Sequence, residues 1–537
     1  MDAIQLYLVL FGIIVVTGHV LRKSTVPISL ILVMIGMLLS VLPSFPEINL
    51  NPDIVLDIFL PLLVYQISSF TSWPDVRRNI RSIALLSVGH VIFITVLVAV
   101  IMHALLPQLG WGLAFVLGAV ISPPDDVAIV SIAEKIRMPS RIITILEGEG
   151  LFNDAMALTL FRFSLAAVLT NQFSIVNATF GFFAVIIGET IYGLAIGYIA
   201  GELRTRIRHT YLHVIASFLT PFIAYFPAIL LGGCGVISTA ITGFIIGNRY
   251  AVRFTPEFRI VSRGLWPTLA YALESILFLL VGLNLHSIIK SISSISFTSL
   301  ALYGSVITAA IMIGRFLWVY GAVYFLPRLL FASIRKNDPL PPWQYPFVVS
   351  WAGMRGGISL AAALAIPHLP LIIGGIYPRN LIIFLVFCVI AATLLLQGLS
   401  LPFVLKRIGI DKHGKQEKYN EHMSELAARL DITESVLSWL NTYRGKIVND
   451  PKMMEKLELQ IMEYEMDKAH LKERIEMHYT EAEHDVKKEV KDEISLIVKI
   501  IAVEKKQLLN LYRDGKISLD VRNKLLSRMD HKIANVK

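Results

Sequence analysis

The chain has 537 residues, 55% of them hydrophobic and only 17% charged, with a formal net charge of +9. A soluble protein of this size carries about 25% charged residues, so a wholly soluble globular class is excluded for most of the length. The placement of the basic residues, described below, accounts for their excess without a nucleic-acid partner.

In chain order, the opening MDAIQLYLVL lacks the basic n-region and small-residue cleavage site of a signal peptide and reads as a first span. Apolar runs of about 16–28 residues then recur to about residue 404, each near the ~20 needed to cross a bilayer. Thirteen spans are predicted, near 4–20, 26–42, 53–70, 80–106, 111–133, 142–170, 177–202, 211–230, 232–247, 264–288, 297–326, 343–366 and 380–404. The eighth and ninth are divided by little more than Gly232 and Gly233. Alternate connections collect eighteen basic residues, from Arg22 and Lys23 to Arg328, Arg335 and Lys336, against Lys290 and Arg379 on the opposite side. The positive-inside rule then places the N-terminus outside and the C-terminal tail in the cytoplasm, with the plasma (inner) membrane as the expected location. Cys234 and Cys388 both fall inside spans, so no disulfide framework is expected.

Two spans contain helix-breaking sequence near their middles. The fifth reads FVLGAVISPPDDVAIVSIA, with Pro123 and Pro124 between apolar halves. The twelfth reads FVVSWAGMRGGISLAAALA, with Gly353, Gly356 and Gly357 around Arg355. Interrupted spans in two halves of a transporter point to a binding site at an inverted-repeat interface. Units of spans 1–6 and 8–13 put the two breaks in corresponding positions, with an odd-span linker to invert one unit. Asp125 and Asp126 follow the prolines, where they are expected to cap the second half-helix at its positive dipole end. Arg355 is expected to sit against exposed carbonyls or to pair with an acid.

Other ionisable residues also fall within spans: Arg162 and Arg315, with Asp57, Glu149, Asp154, Glu189 and Glu274. Such groups by default mark a transport pathway. Arg162 and Glu189, near span ends, are instead expected to snorkel to the interface. In LEGEGLFNDAMALTLFRF (146–163), Gly150 and Asp154 lie about 40° apart on a helical wheel, whereas Glu149 and Asp154 lie about 140° apart. A division of labour follows: Asp154 for the site, Glu149 for a structural ion pair. Arg355 is the expected partner of Glu149.

No His/Cys cluster suggests zinc or copper, and His19 and His90 are read as packed or interfacial. No phosphate-binding glycine motif supports ATP-driven pumping, and no enzyme chemistry is expected. From Lys406 onward the chain carries 26 Lys/Arg against 24 Asp/Glu. SELAARLDITESVLSWL and KLELQIMEYEMDKAHLKERI there read as amphipathic helices. The expected organisation is a transmembrane domain over 1–407 and a helical cytoplasmic tail over 408–537. That tail is either a solvated bundle or a regulatory domain with an unknown ligand or regulator.

Several stretches resemble the monovalent cation:proton antiporter-1 family, the sodium/proton exchangers and their bacterial relatives. GEGLFNDA resembles the family's G-E-S-L-L-N-D-A, and ISPPDDVA resembles S-P-P-D-A-V-A, with Asp125 standing 29 residues before Asp154 as in the family. LPLLVYQ (60–66) resembles L-P-P-L-L-F-E, GMRGGISLA (353–361) resembles G-x-R-G-A-V-S-L-A, and TLLLQGLSLP (393–402) resembles T-x-x-x-Q-G-L-T-L-P. The resemblance implies an all-α polytopic membrane protein with an inverted-repeat antiporter fold, two broken crossing helices, a dimerisation domain and a core domain. It implies a homodimer in contact with membrane lipids, engaged in pH homeostasis by alternating-access exchange of Na⁺ (or K⁺ or Li⁺) for H⁺, without a cofactor. By motif, Asp154 carries the ion or proton with Asn153 as its partner, Asp125 supports the site, and Glu149 and Arg355 form the structural ion pair. The Asn-Asp pair implies electroneutral exchange.

The sequence departs from that pattern near the site. Gln66 replaces an acidic residue, Gly150 replaces a serine on the face of Asp154, and Asp126 adds a carboxylate. Asp126, a water or Ser122 is expected to complete the shell. One carboxylate suffices for coupling: removal from water disfavours its ionised form, a bound cation favours it, and so proton and cation compete. The rival expectations are a K⁺ or organic-cation/proton antiporter, and a transport-deficient membrane sensor signalling through the tail. No carbonyl-filter sequence supports a channel.

Overall fold

The computed structural model describes residues 3–21, 26–42, 51–125, 138–170, 175–290, 292, 296–330, 340–367, 377–445, 451–480 and parts of 500–529. Asp126 and the second half of the fifth expected span lie outside these residues, as do Arg22, Lys23, Arg335 and Lys336. Two compact units divide the chain, residues 1–415 and 416–537.

The first unit is built from helices. Eight among the described residues are long and apolar enough to cross a membrane: α3 (Pro52–Phe70), α4 (Trp73–Leu105), α6 (Ser140–Thr170), α7 (Thr179–Thr205), α8 (Thr210–Leu230), α10 (Pro256–Lys290), α11 (Thr298–Leu330) and α14 (Pro378–Arg407). The remaining expected spans correspond to shorter helices: α1 (Ala3–Val20), α2 (Ile28–Ser40), α5 (Gly110–Ile121), α9 (Val236–Ile245), and the pair α12 (Gln344–Trp351) and α13 (Gly357–Leu364). The chain is a multi-pass membrane protein. The doubtful division between the eighth and ninth spans is a real turn, with Gly232 at φ 90° and Gly235 at φ 76°, left-handed values that glycine adopts without strain.

The packing carries the exchange symmetry expected of two six-span units. Helix α2 packs on α10, and its symmetry counterpart is α9 on α3; both contacts are present. Likewise α4 packs on α5 and α11 on α12, while α5 packs on α6 and α13 on α14. The first two contacts are close backbone approaches, as in many membrane helix pairs that place small residues at the seam. A Cβ on Gly36 would collide with the backbone of Gly282 across α2 and α10, and one on Gly243 would collide with Ser68 and Tyr65 across α9 and α3. The helices therefore form two sets. One holds α2, α3, α7, α8, α9 and α10; the other holds α4, α5, α6 and α11 to α14. The sets meet at several contacts, among them α6 with α3 and α9, and α13 with α3 and α10.

The second unit begins within α15 (Ile410–Arg444), which is followed by α16 (Pro451–Thr480). These contain both amphipathic stretches read from the sequence. Leu437 and Leu440 of α15 pack with Leu457 and Ile461 of α16. Arg444–Glu458 (2.9 Å) and Lys468–Glu434 (2.8 Å) cross the same seam.

Candidate functional site

The two interrupted helices cross at their breaks. Helix α5 stops at Ile121, because Pro123 and Pro124 supply no amide to continue it. Helix α12 stops at Trp351, and α13 restarts at Gly357 after a cap residue, Gly356, in extended conformation. The Asp125 amide donates to the Met354 carbonyl across the crossing (2.7 Å). Arg355 Nε donates to the Ile121 carbonyl at the open end of α5 (2.7 Å), Nη1 donates to Gly353 O (2.8 Å), and its own amide donates to Thr393 Oγ1 on α14 (3.2 Å). The Asp125 carboxylate lies against Gly356, at the N-terminus of α13, in the space a Cβ there would occupy. At the far end of α13, Arg379 donates to the carbonyls of Leu364 (2.9 Å) and Ile366 (2.6 Å). An eight-residue helix inside the fold thus has an anion at its positive end and a cation at its negative end.

A cavity opens beside this crossing. Its polar side chains are Asp154 from α6, Asp125 from the first break, Glu274 from α10 and Ser359 from α13. The walls include Leu63 and Ile67 of α3, both prolines, Gly150 and Gly356. Asp154 and Gly150 therefore share one face, as the helical wheel requires. All the polar side chains offer oxygen, which suits hard cations.

Other expected site residues take different places. Asn153 points away from this cavity and donates through Nδ2 to the Pro124 carbonyl (2.8 Å), so it braces the first break from α6. Ser122 turns back on its own helix to the Ala119 carbonyl (2.9 Å) and is not among the cavity-lining residues. Gln66 is not among them either; its helix presents Leu63, Val64 and Ile67.

The expected Glu149–Arg355 pair is corrected by the structure. Glu149 is bound by Arg315 of α11 through two hydrogen bonds, Nη1 to Oε1 (2.7 Å) and Nη2 to Oε2 (2.8 Å), with both side chains buried. Arg315 also donates through Nε to the Val349 carbonyl of α12 (3.0 Å). The physical reason is that Arg355 lies inside the break, where the Ile121 and Gly353 carbonyls take its Nε and Nη1. Arg315 lies on an unbroken helix whose own carbonyls are already used. His90 is fully buried beside the pair, with Nδ1 3.9 Å from Glu149 Oε1.

The snorkelling expectation is corrected for Glu189, whereas Arg162 is exposed. Glu189 is 4% exposed and accepts from the amides of Cys234, Gly235 (2.9 Å) and Ser238 (3.2 Å) at the start of α9. Arg162 donates to the Gly233 carbonyl. Unpaired amides at a helix N-terminus compensate a buried carboxylate, so Glu189 does not have to reach water.

Sequence reasoning missed Ser359 and did not bring Glu274, read as an intramembrane acid, to the breaks. Glu274 was visible as a buried acid, but no motif ties α10 to the breaks. Ser359 stands in the GMRGGISLA stretch, third in the restarting helix, and that position was the available signal.

A family model described as sodium/hydrogen exchanger, transmembrane, matches residues 7–407. A sodium, potassium, lithium and rubidium/H(+) antiporter of Bacillus pumilus (strain SAFR-032) is 31% identical over 452 residues, covering 79% of this chain. The chain spans 66% of that relative's length. A low-affinity Na(+)/H(+) antiporter, NhaS1, of Synechocystis sp. (strain ATCC 27184 / PCC 6803 / Kazusa) is 30% identical over 458 residues, covering 82% of this chain and 80% of the relative. Among solved structures, the sodium proton antiporter MjNhaP1 of Methanocaldococcus jannaschii at pH 8 shares the fold. Its TM-score is 0.58 at 17% identity, over 75% of this chain and 98% of that one.

Proposed function

The chain belongs to the sodium/hydrogen exchanger family, and from that premise we propose that it is a secondary antiporter exchanging a monovalent cation for a proton by alternating access. Asp154 is the exchange group. The observation that carries this reading is the meeting of Asp154, Asp125 and Glu274 in one cavity at the crossing of two broken helices. An ionised carboxylate withdrawn from water is costly unless a proton or a cation neutralises it. Proton and cation therefore compete for Asp154, and if only the neutralised forms cross between open states, the two fluxes are coupled.

Na⁺ is the leading cargo, with K⁺ and Li⁺ admitted. Two observations favour a broad range of cargo over a strict sodium site. The Bacillus relative is named for four alkali cations, and Gly150 leaves the cavity without the hydroxyl that the family motif places there. Asn153 and Arg355 are assigned to holding the breaks, and Glu149 with Arg315 to the structural pair. One exchanging carboxylate with a neutral Asn153 beside it supports an electroneutral exchange. The remaining parts of the reading are a homodimer, an outside N-terminus, a plasma-membrane location and a regulatory role for residues 408–537. The charge distribution of the connections and the family resemblance support them.

The test is reconstitution in proteoliposomes with an internal pH probe, under imposed Na⁺, K⁺ or Li⁺ gradients, with Asp154→Asn as control. Cation-driven proton movement in the wild type and its loss in Asp154→Asn are expected. Movement that survives Asp154→Asn would overturn the site assignment. An inert wild type across pH 6–9 would overturn antiport in favour of a membrane sensor.

A further inference from the structure

Beyond the carboxylates, we propose that Ser359 is a direct oxygen ligand of the transported cation and sets its selectivity, supplying from α13 the hydroxyl that is absent at Gly150. This rests on the antiporter reading above.

The first argument is hydrogen bonding. Many buried hydroxyls elsewhere in this helix set are spent on their own helices. Ser87 donates to Ile83 O (2.8 Å), Thr95 to Val91 O (2.7 Å), Thr159 to Ala155 O (2.7 Å), Ser350 to Pro346 O (2.8 Å) and Thr393 to Val389 O (2.8 Å). Ser359 is 4% exposed, yet its hydroxyl has no hydrogen-bond partner among the described residues. Position in the helix explains the difference. The carbonyl four residues back belongs to Arg355, inside the break, and Gly356 is the extended cap. A side chain in the first turn has no preceding turn to accept its proton. The hydroxyl is left facing a cavity lined by carboxylates.

The second argument is position. A smaller, largely apolar cavity lies on the other side of Asp154, walled by Ala119, Val120, Ala157, Leu158, Phe161 and Ala362. The two cavities share four residues, Pro123, Asp154, Ile358 and Ser359. Asp154 and Ser359 are thus the polar side chains common to both. A cation held by Asp154 meets a largely apolar wall on the side of the second cavity, which offers no other polar side chain than Ser359 to complete its shell. Ser359 Oγ is the neutral oxygen placed to do so, from the helix opposite Gly150.

The experiment compares Ser359→Ala and Ser359→Thr with the wild type in the same proteoliposomes, titrating Na⁺, K⁺ and Li⁺ separately. Cation binding is measured in parallel from the cation-dependent shift in melting temperature of the purified full-length protein. Ser359→Ala is expected to raise the half-saturating cation concentration about tenfold, the scale of one lost contact to a charge. It should preserve the maximal rate and change the Na⁺/K⁺ ratio. Ser359→Thr, which keeps the hydroxyl, should stay within about twofold of wild type. With wild-type exchange intact, an Ala variant that matches wild type for every cation overturns the inference. So does a loss of exchange that Thr fails to restore, since that marks a packing role. A wild type without exchange instead removes the antiporter reading itself, which distinguishes the two failures.

Discussion

Glu149 and Arg315 are joined by two parallel hydrogen bonds of 2.7 and 2.8 Å in a region where both side chains are buried. Arg315 continues to Val349 O, so one guanidinium ties α6, α11 and α12 together. Removing one partner strands a buried charge, which costs about 3–5 kcal/mol. Arg315→Met and Glu149→Leu are each expected to lower the melting temperature and yield of the purified protein sharply. The double variant, which buries no charge, should recover most of the loss. Arg315→Lys should behave as a destabilised variant, because an ammonium cannot reproduce the fork. A double variant no more stable than the singles would show that the pair is not isolated from its neighbours.

Asn153 braces the first break by donating to Pro124 O (2.8 Å). Asn153→Ala leaves that carbonyl without its partner and is expected to cost about 1–3 kcal/mol. Asn153→Asp gives a sharper test, because an ionised carboxylate has no proton to donate while a protonated one does. The Asp variant should therefore be more stable at low pH than at high pH, relative to wild type. Thermal unfolding of both proteins across pH 5–9 checks this, and parallel profiles would contradict the bracing role.

Gly356 is occupied on its missing side-chain face by the Asp125 carboxylate. Its φ of −119° is open to any residue, so the constraint is space and not backbone conformation. Gly356→Ala is expected to displace Asp125 from the N-terminus of α13 and to reduce exchange at least tenfold, roughly 1.4 kcal/mol. Gly321→Ala, where a Cβ meets open space, is the matched control and should leave exchange unchanged. Equal activity of the two variants would show that the Asp125 placement is not needed.

How much of this was legible in the sequence differs by the range of the interaction. Pro123, Pro124 and the glycines around Arg355 act locally, so both breaks could be placed from composition alone. The direction of Glu149 away from Asp154 follows from 3.6 residues per turn and held. Its partner did not follow, because Arg315 is 166 residues away and matching depths depend on how α11 packs. Glu189 was misjudged for a related reason. A helix N-terminus that compensates it is formed by backbone, which leaves no charged residue to read. Ser359 escaped notice because a serine in an apolar helix normally bonds its own preceding turn; only the break removes that partner.

In the second unit, Glu434 accepts from Lys468 (2.8 Å), with Lys472 at 4.0 Å. The hydrogen bond and charge of Lys468 hold the Glu434 carboxyl below its usual range. Its folded value is depressed, so the contribution to stability is present above the ordinary glutamate value of about 4.3 and is lost as pH falls through the folded value. Amide exchange of α15 and α16 in the full-length protein should therefore accelerate as pH is lowered through that window, after correction for intrinsic rates. Lys468→Ala should flatten part of the response. Because the pair is exposed, added salt should weaken it.

Glu274 reaches the cavity from α10, in the helix set opposite the one that carries Asp154 and Asp125. A carboxylate on the wall raises the local cation concentration without having to exchange its own proton. Glu274→Gln is therefore expected to keep coupled exchange but to raise the half-saturating cation concentration. The increase should be larger at low ionic strength than at high, since screening already weakens the field in salt. Asp154→Asn should abolish exchange under both conditions. Titrating the Gln variant at about 10 mM and about 300 mM background ionic strength, where the Debye lengths differ several-fold, separates the two roles. If Glu274→Gln abolished exchange at every cation concentration, Glu274 would share the exchanging role and the one-carboxylate mechanism would fail. If the increase were independent of salt, Glu274 would touch the cation directly, and the site would draw its ligands from both helix sets.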